Sequence, residues 1–400
     1  MAEILQLSRN TKVYIKDLQS DAVGNSQMWE IPVLDGYSFS QATEASEVTL
    51  LEAADVNNTS RRGKAVFNTA LAPVEWSLST YVRPFKSQGT HTLNTGKADN
   101  GANNMHLVDE PLWAYFSAGS HITFINPNST TNAAWSNGFV TSNSTSELIT
   151  FAQSNKTALR TFELYFVLGA SAPGAAGPYT TYKLVDACVN SATIDFDIEG
   201  IAMVQWSGYA KNIVTTNTNP KIANTITEAS TSTNTFIRQR LTTMNVTTSA
   251  TQRAAPANMA NNYTLVVTGG SITLENNISY LTPEELAIVN IPLGHVTGTR
   301  SVSGTFTAYL DDDQAANATG KLYKDMANAT SITTHDFALI FNIGGAGTPR
   351  LVFNLPKAHM EIPVHTVEDV IGVEFTFSGL PGSLSSTDEA TILAVGPVYV

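Results

Sequence analysis

Residues 75–82 read EWSLSTYV, and residues 303–310, far along the chain, read SGTFTAYL. Both stretches alternate small polar residues with other residues and place a tyrosine second from the end, as in a β-strand with one polar face. Each is followed by a candidate helix, containing Leu-Trp at 112–113 in the first case and Leu-Tyr at 322–323 in the second. A strand phrase that recurs before a helix candidate is the first indication of an internal repeat.

Two further pairs of phrases recur in the same order. They are FELYFVLG (162–169) with FALIFNIG (337–344), and VQWSGY (204–209) with FTFSGL (375–380). Both members of the first pair run into a glycine-rich turn. A single short match can arise by chance, but the ordered recurrence of strand, helix, strand and strand predicts a tandem duplication.

The predicted fold class is all-β with minor α content, as two tandem β-barrel or β-sandwich domains that each carry a short helix. The first domain covers 1–211 and contains two Asn-, Ser-, Thr- and Gly-rich stretches, 86–106 and 126–146, predicted to be surface insertions. The Thr- and Asn-rich stretch 212–236 is the predicted linker, and the second domain covers 237–400.

Three short helical segments are predicted. The patterns at 110–118 and 320–327 favour helices, with Pro111 suited to the first turn of the former. Thr282 is a suitable N-cap for a further turn over 283–285, since proline and glutamate follow it.

Composition restricts the class of function. The 400 residues include 22 basic and 34 acidic side chains, a net charge of -12, so the chain should repel nucleic acid on average. No apolar run approaches the roughly 20 residues that a membrane-spanning helix needs. The N-terminal residues lack the apolar region of a signal peptide. We therefore expect a protein made in a cytosol, with no membrane partner.

No pattern of catalytic residues or metal ligands is complete. Cys188 lies alone in an alternating apolar stretch and is predicted to be a buried small hydrophobe. His359 and His365, with Glu361 between them, lack a further ligand for zinc, and the aspartates at 311–313 lack the pattern of a calcium loop. We expect no catalytic site, no metal and no cofactor, and hence not an enzyme.

Several phrases resemble the tail tube (major tail) proteins of tailed phages. They are WEIPVLDGYSFS (29–40), RRGK (61–64) with the strand 76–84, and in the second half SITLENN (271–277), YLTP (280–283) and 295–310. The resemblance implies small β-domains flanked by a helix, whose strands join across six units into a sheet lining a channel. It also implies stacked rings in a virion tail, made in the host cytoplasm, that contact other tail proteins and conduct the genome during ejection.

The repeated strands present matching polar faces. If these faces line a channel, DNA meets hydroxyl groups and like charge and passes without specific binding. The candidate lumen-facing residues are Glu75, Ser77, Ser79, Asp195, Asp197, Gln205, Ser303, Thr305, Thr307 and Thr376. The alternative is an ordinary solvated strand face. Arg61, Arg62 and Lys64 form a candidate inter-subunit loop, or a solvated one.

Two units per chain favour a ring of three chains with pseudo-sixfold symmetry. A ring of six chains, each placing one unit in the inner wall, is the competing arrangement. At the level of function, the alternative is another virion structural protein, such as a capsid, decoration or receptor-binding tail component.

Overall fold

The computed structural model describes residues 10–18, 28–48, 65–86, 105–117, 140–142, 145–151, 159–169, 179–221, 235–255, 257–311, 318–329, 336–366, 371–384 and 386–396. Of these residues, 58% lie in strands and 10% in helices, in sheets that do not close on themselves. The all-β prediction is confirmed. No helix within these ranges has the length and apolar character needed to cross a membrane.

The described residues up to 221 form twelve strands and one helix. They are β1 (Lys12–Asp17), β2 (Met28–Ile31), β3 (Ser38–Val48), β4 (Ala65–Tyr81), β5 (Pro84–Lys86), β6 (Met105–Leu107), α1 (Glu110–Ser117), β7 (Val140–Ser142), β8 (Ser146–Ile149), β9 (Phe162–Leu168), β10 (Thr180–Asp197), β11 (Met203–Ala210) and β12 (Asn212–Thr216).

The described residues from 235 onward form eleven strands, two α-helices and a 3-10 turn at Gln239–Leu241. They are β13 (Thr243–Thr248), α2 (Ala250–Arg253), β14 (Asn262–Leu265), β15 (Val267–Glu275), β16 (Ile278–Leu281), β17 (Gly294–Thr297), β18 (Ser301–Tyr309), α3 (Thr319–Asn328), β19 (Asp336–Ile343), β20 (Arg350–Met360), β21 (Val364–Thr366), β22 (Gly372–Gly379) and β23 (Thr391–Val395).

The antiparallel pairings define one strand order in each half. The first half reads β2-β1-β9-β10-β11-β4-β3, and the second reads β14-β13-β19-β20-β22-β18-β15. The halves are joined because β10 also pairs with β15. The smaller strands add to this frame: β12 pairs with β10, β21 with β22, β23 with β20, and β8 with both β23 and β7.

Strand β10 takes part in two sheets. Its first half pairs with β9 and β12, and its second half pairs with β11 and β15. Between these halves the register shifts, and Asp186 adopts φ 52°. A left-handed residue at a bulge bends a strand sharply, so one continuous strand can serve two sheets.

The core lies under the alternating apolar faces of these strands and continues through both halves. Every residue of α1 is buried, and the rings of Trp113 and Trp206 meet edge to face at 4.7 Å between centroids. On α3 the buried side chains include Leu322 and Met326, one helical turn apart. Both helices therefore close the core against the sheets, at the positions where the sequence predicted helices.

Most sequence predictions of secondary structure hold, with local corrections. Helices occupy the predicted segments near 110 and 320, but residues 282–285 are not helical, so the turn predicted after Thr282 is wrong. Strand β12 lies inside the predicted linker, and β6 and β7 lie partly or wholly inside the predicted insertions. Helix α2, whose Ser249 and Gln252 form a capping box, was not predicted.

A large residue lies opposite a glycine in two pairs of adjacent strands, β4 with β11 and β18 with β22. Gly208 of β11 lies opposite Trp76 of β4, whereas Gly304 of β18 lies opposite Phe377 of β22. A Cβ on Gly208 would lie 2.0 Å from the carbonyl oxygen of Cys188 and 2.5 Å from the Trp76 ring. Each ring therefore occupies the space that a side chain on the opposing residue would need.

We predict that Gly208→Ala lowers the free energy of unfolding by about 1–3 kcal/mol, because the added methyl clashes first with the Cys188 carbonyl oxygen of β10 and next with the Trp76 ring of β4. Chemical denaturation followed by tryptophan fluorescence would measure this loss. Gly372→Ala is the matched control, since a Cβ there meets nothing within 4 Å. We expect the control to change stability by no more than about 0.5 kcal/mol. Equal stability of the two variants would contradict the packing described here.

Candidate functional site

A continuous polar surface extends over seven adjacent strands, β3, β4, β11, β10, β15, β18 and β22, and we call it the polar face. The strand register defines it, because directly paired residues lie on the same side of a sheet. One row runs across six strands through Ser79, Gln205, Thr193, Thr273, Ser303 and Ser378. The polar face therefore continues from the first half of the chain into the second.

All ten residues predicted as lumen-facing lie on the polar face. Besides the row above, Ser77 lies opposite Ser207, and Glu75 opposite Tyr209. The remaining predicted residues fall in two rows, Asp195-Ser271-Thr305-Thr376 and Asp197-Gly269-Thr307. Whether this face lines a channel is a separate question, treated below. Arg61, Arg62 and Lys64 lie outside the described residues.

On β4, β10, β11 and β18, neighbours of the polar-face residues along the strand are buried. Leu78, Ile194, Trp206 and Phe306 are all 2% exposed or less. A slip of one residue in the pairing would exchange these side chains with the polar ones, so burial of the apolar face fixes the register. The polar face is thus a consequence of the same alternation that builds the core.

Side-chain hydrogen bonds tie the polar face together across the strands. Hydroxyl pairs link Ser38 with Ser77 at 2.8 Å, Ser191 with Ser207 at 2.7 Å, and Thr193 with Thr273 at 3.2 Å. The Nε2 atom of Gln205 donates to Oδ2 of Asp195 at 3.0 Å. Partial burial raises the pKa of Asp195 above its ordinary value. These contacts satisfy polar groups locally and leave a surface of short side chains.

The charge of the polar face is negative. Its described residues include no lysine, arginine or histidine, and its carboxylates are Glu75, Asp195, Asp197, Glu275 and Glu374. Nucleic acid binds through phosphate contacts with clustered basic side chains, which this surface lacks. The sequence analysis overlooked the contribution of β15, although the alternation of Gly269, Ser271, Thr273 and Glu275 was visible in the sequence.

The thiol of Cys188 is inaccessible. Cys188 is fully buried, as predicted, and burial raises the pKa of its thiol to about 12. One group of potential metal ligands was missed by the sequence analysis: His106, Glu110 and Glu147 come together in the interior. Its residues belong to β6, α1 and β8, none of which contributes to the polar face.

These features define a class of protein: a structural subunit built from extended antiparallel sheets. Comparisons with known proteins narrow the class. The family model described as phage tail tube protein matches residues 49–379. Tail tube protein pb6 of Escherichia phage T5 is 28% identical over 393 residues, which cover 96% of this chain and 75% of pb6.

The chain belongs to the phage tail tube protein family and is a structural subunit of a tail tube. The resemblance noted from the sequence is confirmed. The tail tube is favoured over the capsid, decoration and receptor-binding alternatives.

Proposed function

We propose that copies of this chain close into rings that stack into a tube, and that the polar face lines the bore through which the genome passes. The observation that carries this proposal is the pairing of β10 with β15, which extends one polar face through both halves of the chain. The role needs no catalysis and no cofactor. The protein would be made in the host cytoplasm, reside in the virion tail and contact other tail proteins at the ends of the tube.

The strand pairings support a duplicated unit. Each of the six strand pairings in the first half has a counterpart at the same place in the strand order of the second half. The corresponding strands, in this order, are β1, β2, β3, β4, β9, β10 and β11 in the first half and β13, β14, β15, β18, β19, β20 and β22 in the second. This correspondence places Trp206 in the same position as Phe375. The phrase match of 204–209 with 375–380 had instead aligned Trp206 with Phe377, two residues further along the chain. The shift agrees with the exchange of large and small residues at Trp76–Gly208 and Gly304–Phe377.

Ring closure follows if the junction inside the chain is repeated between chains. The counterpart of β10 is the strand β20 with β21, and the counterpart of β15 is β3. Among the described strands, β21 pairs with β22 alone and β3 with β4 alone, so each offers a free edge. The register of β10 with β15 then sets Val364 opposite Ser40, and Thr366 opposite Ser38, of the next chain. Three chains supply the six units of such a ring.

A disulfide between chains tests both the register and the number of chains. In tubes of a Ser40→Cys, Val364→Cys variant, we predict cross-linked dimers and trimers and no larger species, because the third bond closes the ring. Directly paired residues of antiparallel strands have Cα atoms about 4.5–5.5 Å apart, within the range for a disulfide. Non-reducing gel electrophoresis after mild oxidation shows the sizes of the cross-linked species as a ladder of bands. The native Cys188 is buried and should not interfere.

The two single-cysteine variants are the matched controls and should remain monomeric on the gel. A ladder that continues to six chains would support the competing six-chain ring. Failure of the double variant to cross-link in well-formed tubes would contradict the proposed junction.

The acidic polar face suits a bore that does not hold DNA. We predict that phage with Glu75→Lys and Glu374→Lys assemble tails but release DNA slowly at low salt, because lysines form phosphate contacts that the native face avoids. Dye-detected DNA release after triggering gives the rate, and added salt should restore it. The control variant, Asp35→Lys with Asp388→Lys, reverses two exposed carboxylates off the polar face. Unchanged release from polar-face variants with normal tails would contradict the lumen assignment.

An exposed apolar surface is available for stacking. It consists of Leu286, Ile288 and Leu293 in the loop between β16 and β17, with Val66 and Phe67 of β4, and these side chains are 55–98% exposed. The loop is held beside β4 because the Leu71 amide donates to the Asn290 carbonyl at 2.8 Å. Exposed apolar side chains gathered in one region of the surface favour a protein contact there. We assign this contact to a second copy of the chain in the next ring.

We predict that Leu286→Ser with Leu293→Ser leaves ring formation intact but prevents elongation into tubes, because the apolar contact between rings is lost. Electron microscopy in negative stain distinguishes rings from tubes. Leu384→Ser is the control, since Leu384 is 97% exposed but lies outside this surface. Tubes of normal length from the double variant would rule out this surface as the stacking contact.

A further inference from the structure

Three metal-ligating side chains converge in the interior, away from the polar face. His106 lies on β6, Glu110 begins α1, and Glu147 lies on β8. One ligand atom from each lies within 4.8 Å of the other two, and the Nδ1 atom of His106 is 2.6 Å from Oε2 of Glu110. The side chains of His106 and Glu110 are 2% and 0% exposed, and Glu147 is also fully buried.

Glu147 is a buried acid without a side-chain hydrogen bond. Neither of its carboxylate oxygens accepts a hydrogen bond from a described side chain, and the backbone of Leu107 is the contact that remains to it. Leaving such a group unsatisfied in a protein interior is costly, so the site calls for a proton or a cation.

A fourth buried residue next to the cluster, Asp109, adds to the need for a proton or a cation. Asp109, beside Glu110, is also fully buried. Its Oδ2 atom accepts a hydrogen bond from Thr80 at 2.9 Å, but its Oδ1 atom has no partner among the described residues. Three acidic groups and one imidazole thus share a water-poor interior, where a bound cation would offset charge that a single histidine cannot.

We propose that His106, Glu110 and Glu147 bind one divalent transition-metal ion of the zinc class. One imidazole nitrogen and two carboxylate oxygens are donors that zinc accepts, and three protein ligands with a fourth position for water suit its preferred four-coordination. Calcium takes six to eight oxygen ligands, and magnesium keeps several waters in an octahedral shell. A buried site of three side chains that includes a nitrogen donor suits neither.

Such an ion would fasten three elements together. His106 lies at the end of the predicted insertion 86–106, and Glu147 follows directly on the predicted insertion 126–146. Strand β8, which carries Glu147, also pairs with β23 near the C-terminus, where Ile149 lies opposite Ile392. The ion would therefore anchor both insertions and the β8–β23 connection to α1. This inference does not depend on the lumen assignment or on the number of chains in a ring.

Metal content and thermal stability of the untagged full-length chain test the site. After chelation and dialysis, the protein is titrated with ZnCl₂ or MgCl₂. The number of metal ions bound per chain is measured by inductively coupled plasma mass spectrometry. We expect one zinc per chain and a rise in Tm of several degrees at saturating zinc, because a ligand that binds only the folded state stabilises it. Magnesium at the same concentration should leave Tm unchanged.

The variant Glu147→Gln separates a cation from a proton, because glutamine imitates the neutral acid in shape. If the site binds zinc, the variant loses the bound zinc and the zinc-dependent rise in Tm. Glu374→Gln, which removes an exposed carboxylate far from this cluster in sequence, should keep both. The proposal is overturned if the wild type binds no zinc, or if Glu147→Gln binds as much as the wild type. A variant that fails to fold leaves the wild-type titration as the deciding measurement.

Discussion

The backbone hydrogen bonds between β10 and β15 are the interaction on which the rest of the structure depends. They join residues 191–197 to residues 269–275 in one antiparallel ladder. Because the side-chain period of a strand is two, this ladder also aligns the polar and apolar faces of the two halves. The core beneath and the polar face above are therefore continuous across the junction. A displacement by one residue would expose Ile194 and Phe196 and bury Asp195, so the alternation excludes that register.

Strand β10 can make this junction because it belongs to two sheets. The bulge at Asp186 turns the strand after its pairing with β9, and a second register shift near Asn190 adjusts it against β11. The side chain of Asn190 also binds the chain that follows β15, since its Oδ1 atom accepts from the amide of Ile278 at 2.8 Å. The bends are thus coupled to the contact between the halves. In the proposed ring, β20 and β21 provide the corresponding long strand.

Much of the strand content and the polar sides of β4, β10, β11, β18 and β22 could be predicted from the sequence, because alternation is a local signal, whereas the polar side of β15 was not predicted. The alignment of 204–209 with 375–380 followed a shared Ser-Gly pair, whereas the strand pairings place Gly208 and Phe377 in corresponding positions. In the first half the large residue of this pair, Trp76, lies on β4, whereas in the second half the large residue, Phe377, lies on β22. The sequence alone does not show this exchange, because it does not show which residues are paired. The turn predicted after Thr282 has the residues of a helix start, but residues 283–286 are exposed, so a helix there would bury little apolar surface.

The cluster of His106, Glu110 and Glu147 shows the limit of sequence reasoning. Only the spacing of four between His106 and Glu110 is local, and it straddles the end of β6 and the start of α1. Glu147 comes from the far side of a long insertion, brought close by the pairing of β8 with β23. Contacts of this kind depend on the tertiary fold, in contrast to the polar face, which depends on a period of two.

The central claim is that the junction between chains repeats the junction within the chain. Helical reconstruction of assembled tubes by electron cryo-microscopy, at a resolution that separates strands, tests it most directly. The account predicts three chains per ring and an unbroken sheet in which β21 of each chain pairs with β3 of the next, with the polar face toward the bore. Six chains per ring, or a β3 edge that no neighbouring strand covers, would contradict it.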